Sequence, residues 1–202
     1  MPNHLVISVR APRIGAVKTR LAAEVGDLAA LHFYRRTCAA LFHRLAPDAA
    51  WRAWLAVTPD VAARQPGLWP AAYTAFAQGP GDLGRRLAHM FSSRPPGPVV
   101  IVGSDIPDIK RHHVAQAFRR LGEADFVFGP AVDGGYWLIG CRRRQGLSPT
   151  AARALFKGVR WSSEHALADT RANIPPGRGV ALLEPLRDID TASDLAAWKL
   201  RR

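Results

Sequence analysis

Short apolar runs alternate with longer amphipathic stretches along this chain. Apolar runs predict β-strands at 5–9, 51–58, 98–105, 125–128, 136–139 and 180–183. Helical spacing predicts helices at 17–45 (with a break near Gly26), 82–91, 110–121, 149–156, 162–170 and from 192 onward. The stretch 59–80 is rich in proline and glycine, and it predicts a loop with short elements.

Strands that alternate with helices favour a mostly parallel sheet with helices on both faces. The sequence shows no internal repeat and no linker long enough to separate two domains. Its 202 residues are close to the usual size of one domain. We therefore expect a single three-layer α/β/α domain that covers residues 1–202.

Composition narrows the class of protein. Hydrophobic residues make up 48% of the chain, which is typical of a folded globular protein. No apolar run approaches the length that spans a membrane, and the N-terminal run resembles a first strand rather than a signal peptide. Cys38 and Cys141 provide neither a disulfide framework nor a metal-binding spacing. Together these features predict a cytoplasmic protein with reduced thiols.

The formal net charge of +12 indicates attraction to phosphate, and nucleic acid is one interpretation of it. The basic residues are scattered, however, with dense clusters only at 142–144 and 201–202. Attraction of small polyphosphates explains the same charge without an extended nucleic-acid surface. We therefore expect a nucleotide rather than nucleic acid as the partner, and the sequence gives no oligomeric state.

The residues after the first strand suggest an anion-binding loop, although the two best-known phosphate loops are missing from the sequence. Gly15 lies in this loop, and Lys18 and Arg20 lie where a helix begins. Cations at a helix N-terminus oppose the helix dipole, whereas a bound anion would reverse that penalty. The alternative is an ordinary solvated helix start.

Asp105 ends the apolar run 98–105 and is a candidate metal ligand. Open α/β sheets bind ligands beyond the carboxyl ends of their strands, and a carboxylate there can hold Mg²⁺ against phosphate oxygens. Asp108 is either a partner of this site or the N-cap of the next helix. Near the C-terminus, Asp188 and Asp190 are alternatives for a second metal ligand, and the sequence does not choose between them. Asp194 instead fits a capping box with Thr191.

The segment 129–137 carries an Asp-Gly pair between two predicted strands. Asp-Gly is a strong hairpin signal, so Asp133 could serve the turn alone. A glycine-rich turn with one acid and two aromatic residues could also approach a substrate closely. We expect a turn that lines the binding pocket. The histidines show no H-x-x-x-H zinc spacing, and we expect His112 and His113 on a helix surface.

Several motifs occur in a fixed order along the chain. They are Pro12 with GAVKTRL at 15–21, GDLGRR at 81–86, GSDIPD at 103–108, GPAVDGGY at 129–136, FKGVRWS at 156–162 and DIDTASDL at 188–195. This set resembles a family of bacterial transferases with a glycosyltransferase-A-like fold, the radical-SAM/selenodomain-associated transferases. It is more distantly similar to the guanylyltransferases of molybdenum-cofactor and deazaflavin-cofactor synthesis. Arg10 departs from the pattern, because the family more often carries lysine there, but the positive charge is kept.

The resemblance implies a role for particular residues. The implied nucleotide-binding residues are Pro12, Gly15, Lys18, Arg20, Gly81, Asp82 and Gly84. The implied catalytic residues are Lys18, Arg20 and Asp105. Mg²⁺ (or Mn²⁺) would bind Asp105 with Asp188 or Asp190. The small-molecule acceptor would lie at Asp133, Gly134, Gly135 and Tyr136.

Three functions are open at this point. In nucleotidyl transfer, an acceptor phosphate or hydroxyl attacks the α-phosphate of a nucleoside triphosphate and releases pyrophosphate. In glycosyl transfer, the same site holds a nucleotide sugar and the anomeric bond breaks. A lone Asp105 without a D-x-D pair favours nucleotidyl transfer. Members of the family that the chain resembles are usually described as glycosyltransferases, which favours glycosyl transfer. A non-enzymatic nucleotide- or RNA-binding module is the third, and no RNA-binding aromatic motif supports it.

Overall fold

The computed structural model describes residues 1–143 and 147–200, and one mixed sheet lies at its centre. The strands are β1 (His4–Arg10), β2 (Arg52–Thr58), β3 (Thr74–Ala77), β4 (Val99–Gly103), β5 (Phe126–Pro130), β6 (Tyr136–Cys141) and β7 (Val180–Leu182). Their order is β3-β2-β1-β4-β6-β5-β7, and among these described strands only β6 runs antiparallel to its neighbours. The predicted, mostly parallel sheet is confirmed.

Seven α-helices and a short 3-10 helix (Asp60–Arg64) accompany the sheet in the described residues. The α-helices are α1 (Thr19–Val25), α2 (Asp27–Arg44), α3 (Leu83–Ser92), α4 (Arg111–Arg120), α5 (Pro149–Ala154), α6 (Ala166–Ala172) and α7 (Ala192–Leu200). Gly26, with φ of 84°, separates α1 from α2, so the predicted break is confirmed. No helix in the described ranges combines the length and hydropathy needed to cross a bilayer.

Alternate residues of the central strands pack into two hydrophobic clusters, one on each face of the sheet. In β4, Val100 and Val102 belong to the cluster that includes α2 and α4, whereas Val99 and Ile101 belong to the cluster that includes α3 and α5. This alternation follows from the two-residue repeat of a strand that is buried on both faces. The result is the expected three-layer α/β/α arrangement. One domain over all of 1–202 stays a prediction.

The stretch 59–80 contains the short 3-10 helix and β3, a four-residue edge strand, so the predicted loop with short elements is confirmed. The structure differs from the sequence prediction at the start of one helix. The helix predicted at 162–170 begins only at Ala166. Arg144, Arg201 and Arg202 from the predicted basic clusters lie outside the described residues.

The direction of the strands brings the candidate residues together. β1, β4, β5 and β7 run parallel, so their carboxyl ends lie at one edge of the sheet. The turn from β5 into the antiparallel β6 lies at that same edge. The loops after β1, β4, β5 and β7 therefore meet there, as open α/β sheets predict for a ligand site.

Candidate active site

A cleft with two adjoining cavities opens at the carboxyl edge of the sheet. The first, which we name the basic cavity, has a volume of about 520 Å³ and is lined by the cations Arg10, Lys18, Arg20 and Arg86. The second, which we name the acidic cavity, has a volume of about 370 Å³ and is lined by the carboxylates Asp105, Asp133 and Asp188. Both cavities share Ser8, Leu83, Ser104, Asp105 and Ser162, so they are parts of one cleft.

Lys18 links two carboxylates that come from distant parts of the chain. Its side chain is 4% exposed, and its Nζ lies 3.0 Å from Asp190 Oδ1 and 3.6 Å from Asp105 Oδ1. Its backbone φ of 48° is left-handed, which is uncommon for a residue with a side chain. A sparsely populated conformation that directs a buried cation into a cleft suggests a functional constraint.

Arg20 lies two residues further on and is far more accessible. Its side chain is 72% exposed, and its Nη1 lies 3.4 Å from Asp190 Oδ2. Lys18 is the N-cap of α1 and Arg20 is in its first turn, so the predicted position of both cations at a helix start is confirmed. α1 has only seven residues, and the positive charge of the basic cavity comes mainly from side chains.

Tyr34 on α2 joins the ends of β1 and β4 below the cleft. Its hydroxyl accepts a hydrogen bond from Arg10 N (2.9 Å), donates to Arg10 O (3.0 Å) and lies 3.2 Å from Ser104 Oγ. Burial raises the pKa of Tyr34 well above its usual value, so the phenol stays neutral. The role of Tyr34 has no signal in the sequence, because helical spacing identifies a core position but not a hydrogen bond.

Gln78, directly after β3, supports the same edge of the sheet. It is buried, and its side-chain nitrogen lies 2.9 Å from Ala56 O and 3.2 Å from Ser8 Oγ. Ser8 lines both cavities, so Gln78 positions the floor of the cleft between them. The only sequence signal for this role is a polar residue beside a short apolar segment.

The loop after β4 contains two carboxylates with different surroundings: Asp105 lines the cleft, whereas Asp108 contacts α7. The side chain of Asp105 is 57% exposed in the cleft. Asp108 Oδ1 accepts a hydrogen bond from Trp198 Nε1 on α7 (3.0 Å), and the N-cap of α4 is Lys110. The N-cap interpretation of Asp108 is therefore wrong: this carboxylate anchors the C-terminal helix.

Asp188 and Asp190 face different cavities. Ile189 between them is buried, whereas Asp188 lines the acidic cavity and Asp190 lines the basic cavity. Burial raises the pKa of Asp188, and the nearby charges of Asp190 and Asp133 raise it further. Asp190 instead has cationic partners in Lys18 and Arg20. This difference separates two acids that the sequence left as alternatives.

The next residues form the predicted capping box. Thr191 N donates to Asp194 Oδ2 (3.0 Å), and Asp194 N donates to Thr191 Oγ1 (3.1 Å). Asp194 is thus structural, as expected. The box fixes the start of α7 directly after Asp190, and so it helps to hold that carboxylate beside Lys18.

The turn between β5 and β6 lines the acidic cavity, as expected from the sequence. Asp133 Oδ1 accepts a hydrogen bond from Gly135 N (2.9 Å), while Asp133, Gly135 and Tyr136 line the cavity. Gly134 lies behind the turn with φ of 85°, and a Cβ at this position would lie 2.3 Å from Glu164 O. The turn therefore packs closely against the segment before α6, which closes the cavity on that side.

Replacing Gly134 by alanine is expected to lower the free energy of unfolding by about 2–4 kcal/mol, since it adds left-handed strain and a backbone clash. Gly177 is the matched control, because its φ of 81° is similar but nothing lies within 4 Å of an added Cβ. Gly177→Ala should cost only about 1 kcal/mol. Urea denaturation measures both values, and equal losses would show that the contact with Glu164 does not constrain the turn.

The other implied nucleotide-binding residues shape the loops around the cleft. Pro12, Gly15, Gly81, Asp82 and Gly84 line neither cavity in the described part of the chain. Asp82 is the N-cap of α3 and accepts a hydrogen bond from Arg85 N (2.8 Å). A Cβ on Gly84 would lie 2.9 Å from Phe156 Cβ, so this glycine permits close packing beneath the cleft.

His112, His113 and Glu184 form the one group of three potential metal ligands within 4.8 Å of one another among the described residues. His113 is buried, contrary to the expected surface position, and its Nε2 lies 2.8 Å from Glu184 Oε1. Its Nδ1 accepts a hydrogen bond from Lys110 N (3.0 Å). The proton of the neutral ring therefore lies on Nε2, where it donates to Glu184. Because both ring nitrogens of His113 already have hydrogen-bond partners, the geometry fits a cap of α4 better than a metal site.

The donor chemistry around Asp105 fits a divalent cation with oxygen ligands. Asp105 and Asp188 line the same cavity, and the raised pKa of Asp188 shows a carboxylate that burial and neighbouring anions destabilise. A divalent cation would relieve both effects. Asp105, Asp188 and Asp190 do not form a compact three-ligand cluster among the described residues.

Several solved structures share this fold. A protein from Desulfovibrio desulfuricans G20, with the proposed activity of a nucleotide-diphospho-sugar transferase, is 29% identical, with a TM-score of 0.85 over 98% of this chain and 87% of that one. A CMP:2-keto-3-deoxy-manno-octonic acid synthetase in complex with CTP is 12% identical, with a TM-score of 0.59 over 100% and 98% of the two chains. Rv0371c from Mycobacterium tuberculosis H37Rv in complex with manganese is 13% identical, with a TM-score of 0.55 over 98% and 97%.

The chain thus has a glycosyltransferase-A-like fold of the nucleotide-diphospho-sugar transferase type. It belongs to the bacterial family DUF2064, described as an uncharacterized protein conserved in bacteria, whose model matches residues 41–163. Comparison with curated proteins gives no significant match.

Proposed function

We propose that this chain is a metal-dependent nucleotidyltransferase. An oxygen of a small acceptor attacks the α-phosphorus of a nucleoside triphosphate, the bond from that phosphorus to the bridging oxygen breaks, and pyrophosphate leaves. A hydroxyl acceptor gives its proton to a carboxylate of the acidic cavity. The observation that carries the proposal is the basic cavity, with its four cations, directly beside the carboxylates of the acidic cavity.

The basic cavity suits the triphosphate. Its four cations oppose the charge of three phosphates, and they are in place before the nucleotide binds. Lys18 is the most buried of them at the boundary with Asp105, so its ammonium acts nearest to the α-phosphate. Arg20, at the exposed rim, serves the outer phosphates. Arg10 and Arg86 are the other two cations that line the cavity.

Mg²⁺ or Mn²⁺ would be held by Asp105 and Asp188, while Asp190 remains paired with Lys18 and Arg20. When bound, the ion neutralises phosphate oxygens and so favours attack at phosphorus. The protein's own residues orient the reactants: Tyr34 and Gln78 fix the floor of the cleft, and the turn at Asp133 positions the acceptor. The manganese complex of a protein with the same fold supports a divalent ion.

A thermal-shift measurement tests the proposal. One nucleoside triphosphate with Mg²⁺ should stabilise the protein by about 2–3 kcal/mol at a hundredfold excess over its Kd, which corresponds to a rise of several degrees in Tm. Without Mg²⁺ the shift should fall strongly. Nucleoside triphosphates that give no shift with or without the ion would contradict the proposal.

Glycosyl transfer is the second candidate, and the proposed activity of the Desulfovibrio protein favours it. The two reactions break different bonds, so the position of a radioactive label separates them. With an α-³²P-labelled nucleoside triphosphate, nucleotidyl transfer places the label on the acceptor. With a nucleotide sugar labelled at the same phosphorus, glycosyl transfer leaves the label on the released nucleoside diphosphate. Stabilisation by a nucleotide sugar and its diphosphate alone would favour the second reaction.

A further inference from the structure

The charge of the cleft is divided unevenly between its two cavities. The basic cavity contains four cations beside two carboxylates, Asp105 and Asp190, whereas the described lining of the acidic cavity contains three carboxylates, including the shared Asp105, and no lysine, arginine or histidine. The chain as a whole has 28 Lys and Arg against 16 Asp and Glu. Because the protein as a whole is so basic, a cavity whose described lining has no cationic side chain indicates that this cavity discriminates between ligands by their charge.

Lys18, the cation at the boundary of the acidic cavity, already has two carboxylate partners. Lys18 lies at the boundary between the cavities, with its Nζ 3.0 Å from Asp190 and 3.6 Å from Asp105. In the proposed function it also faces the triphosphate. A phosphate or carboxylate on an acceptor would therefore meet Asp133 and Asp188 with no side-chain cation to compensate. A divalent ion held by Asp105 and Asp188 would neutralise two of the three negative charges of the cavity, and the triphosphate would use that ion as well.

The walls of the acidic cavity are largely apolar. Tyr136 and Trp161 meet edge to face with ring centroids 6.4 Å apart, and Leu87 and Ile139 also line the cavity. The hydroxyl of Tyr136 lies 3.4 Å from Thr170 Oγ1, and burial raises its pKa, so it remains a neutral group held by the protein. Aromatic and aliphatic walls with a few carboxylates suit a compact molecule that has an apolar face and hydroxyl groups.

We propose that the acceptor in the acidic cavity is an alcohol without phosphate or carboxylate groups, either uncharged or positively charged. This substrate class rests on the proposed nucleotidyl transfer and narrows it. The carboxylates of the cavity accept hydrogen bonds from hydroxyl or ammonium groups, and they repel anionic competitors. Discrimination therefore arises from charge as well as from shape.

Collisional quenching of Trp161 fluorescence tests the electrostatic basis without knowledge of the acceptor. The difference between the wild type and Trp161→Phe isolates Trp161, which is half-buried in the cavity wall. At equal ionic strength, and with the quenching by each ion divided by its quenching of free N-acetyltryptophanamide, caesium should quench this residue at least about threefold more strongly than iodide. Trp69, half-buried outside both cavities, is the internal control, since a net charge of +12 predicts the opposite preference there.

The Asp133→Asn variant should move the caesium-to-iodide ratio of Trp161 toward one, because it removes a charge from the cavity. Iodide quenching that equals or exceeds caesium quenching in the wild type would overturn the proposal. An unchanged ratio in Asp133→Asn would do the same.

A transfer assay tests the acceptor class directly. It also distinguishes a failure of the proposed acceptor class from a failure of the proposed nucleotidyl transfer. A bacterial small-molecule extract is divided on an anion exchanger, and each fraction is incubated with protein, Mg²⁺ and α-³²P-labelled nucleoside triphosphates. Labelled product should form from the unretained fraction. Product from the retained, anionic fraction alone would overturn the acceptor class but support nucleotidyl transfer. No product from either fraction would count against nucleotidyl transfer itself, and the quenching ratio would still decide the charge preference of the cavity.

Discussion

Replacing Asp105 by asparagine is expected to lower the rate of nucleotidyl transfer by about 10²–10³-fold while the protein remains folded. Asp105 lies where the two cavities meet, and it is the carboxylate that both share. Asparagine keeps the shape of the side chain but removes the charge that would hold a divalent ion. The side chain of Asp105 is 57% exposed, so the loss of its contact with Lys18 should change the free energy of unfolding only slightly.

The measurement is initial-rate kinetics at several Mg²⁺ concentrations, with urea denaturation of the same preparations. Glu123→Gln is the matched control, because it makes the same chemical change at an exposed carboxylate that pairs with Arg120 away from the cleft. Its rate should equal that of the wild type. If Asp105→Asn kept metal-dependent turnover at more than about a tenth of the wild-type rate, Asp105 would not be a metal ligand.

The sequence predicted the architecture well because the relevant information is local. Apolar runs such as 98–105 and the helical spacing between them identify strands and helices that alternate, and alternation leads to a parallel sheet. The position of Asp105 at the end of β4 then follows from the general rule for ligand sites in such sheets. The turn at Asp133 was predictable for the same reason, since Asp-Gly determines local backbone geometry.

The internal organisation of the cleft was not predictable, because it depends on contacts between distant residues. Lys18 and Asp190 are 172 positions apart, and no local pattern indicates their ion pair. The different environments of Asp188 and Asp190 likewise depend on which cavity each side chain lines. The helix prediction over 17–45 covers Tyr34 but gives no sign that its hydroxyl joins β1 to β4.

The division of the cleft into a basic and an acidic cavity also distinguishes the two cations at the start of α1, Lys18 and Arg20, from each other. Lys18 and Arg20 are both near Asp190, yet their environments differ: the side chain of Lys18 is 4% exposed and that of Arg20 is 72% exposed. A buried cation that faces carboxylates on both sides is held in one geometry. An exposed one is screened by solvent and salt. The structure therefore predicts unequal contributions from two residues that the sequence treated alike.

Replacing Lys18 by methionine is expected to reduce kcat/KM for nucleotidyl transfer by about 10²–10³-fold. Methionine is also long and unbranched, so the variant removes the charge with little change in volume. Asp105 and Asp190 would then face the triphosphate without the ammonium between them. Asp190 keeps Arg20 as a partner, and both carboxylates are partly exposed, so the free energy of unfolding should fall by only about 1 kcal/mol.

Arg20→Met is the matched comparison, since it removes one positive charge two residues away, and its kcat/KM should fall by less than about tenfold. Steady-state kinetics in the triphosphate, with denaturation curves for both variants, give the two ratios. A larger loss in Arg20→Met than in Lys18→Met would place the reacting phosphate at the exposed rim rather than at the boundary of the cavities. Equal and small losses in both variants would remove the first loop from the catalytic site, because neither cation would then contribute to the charge that stabilises the transition state.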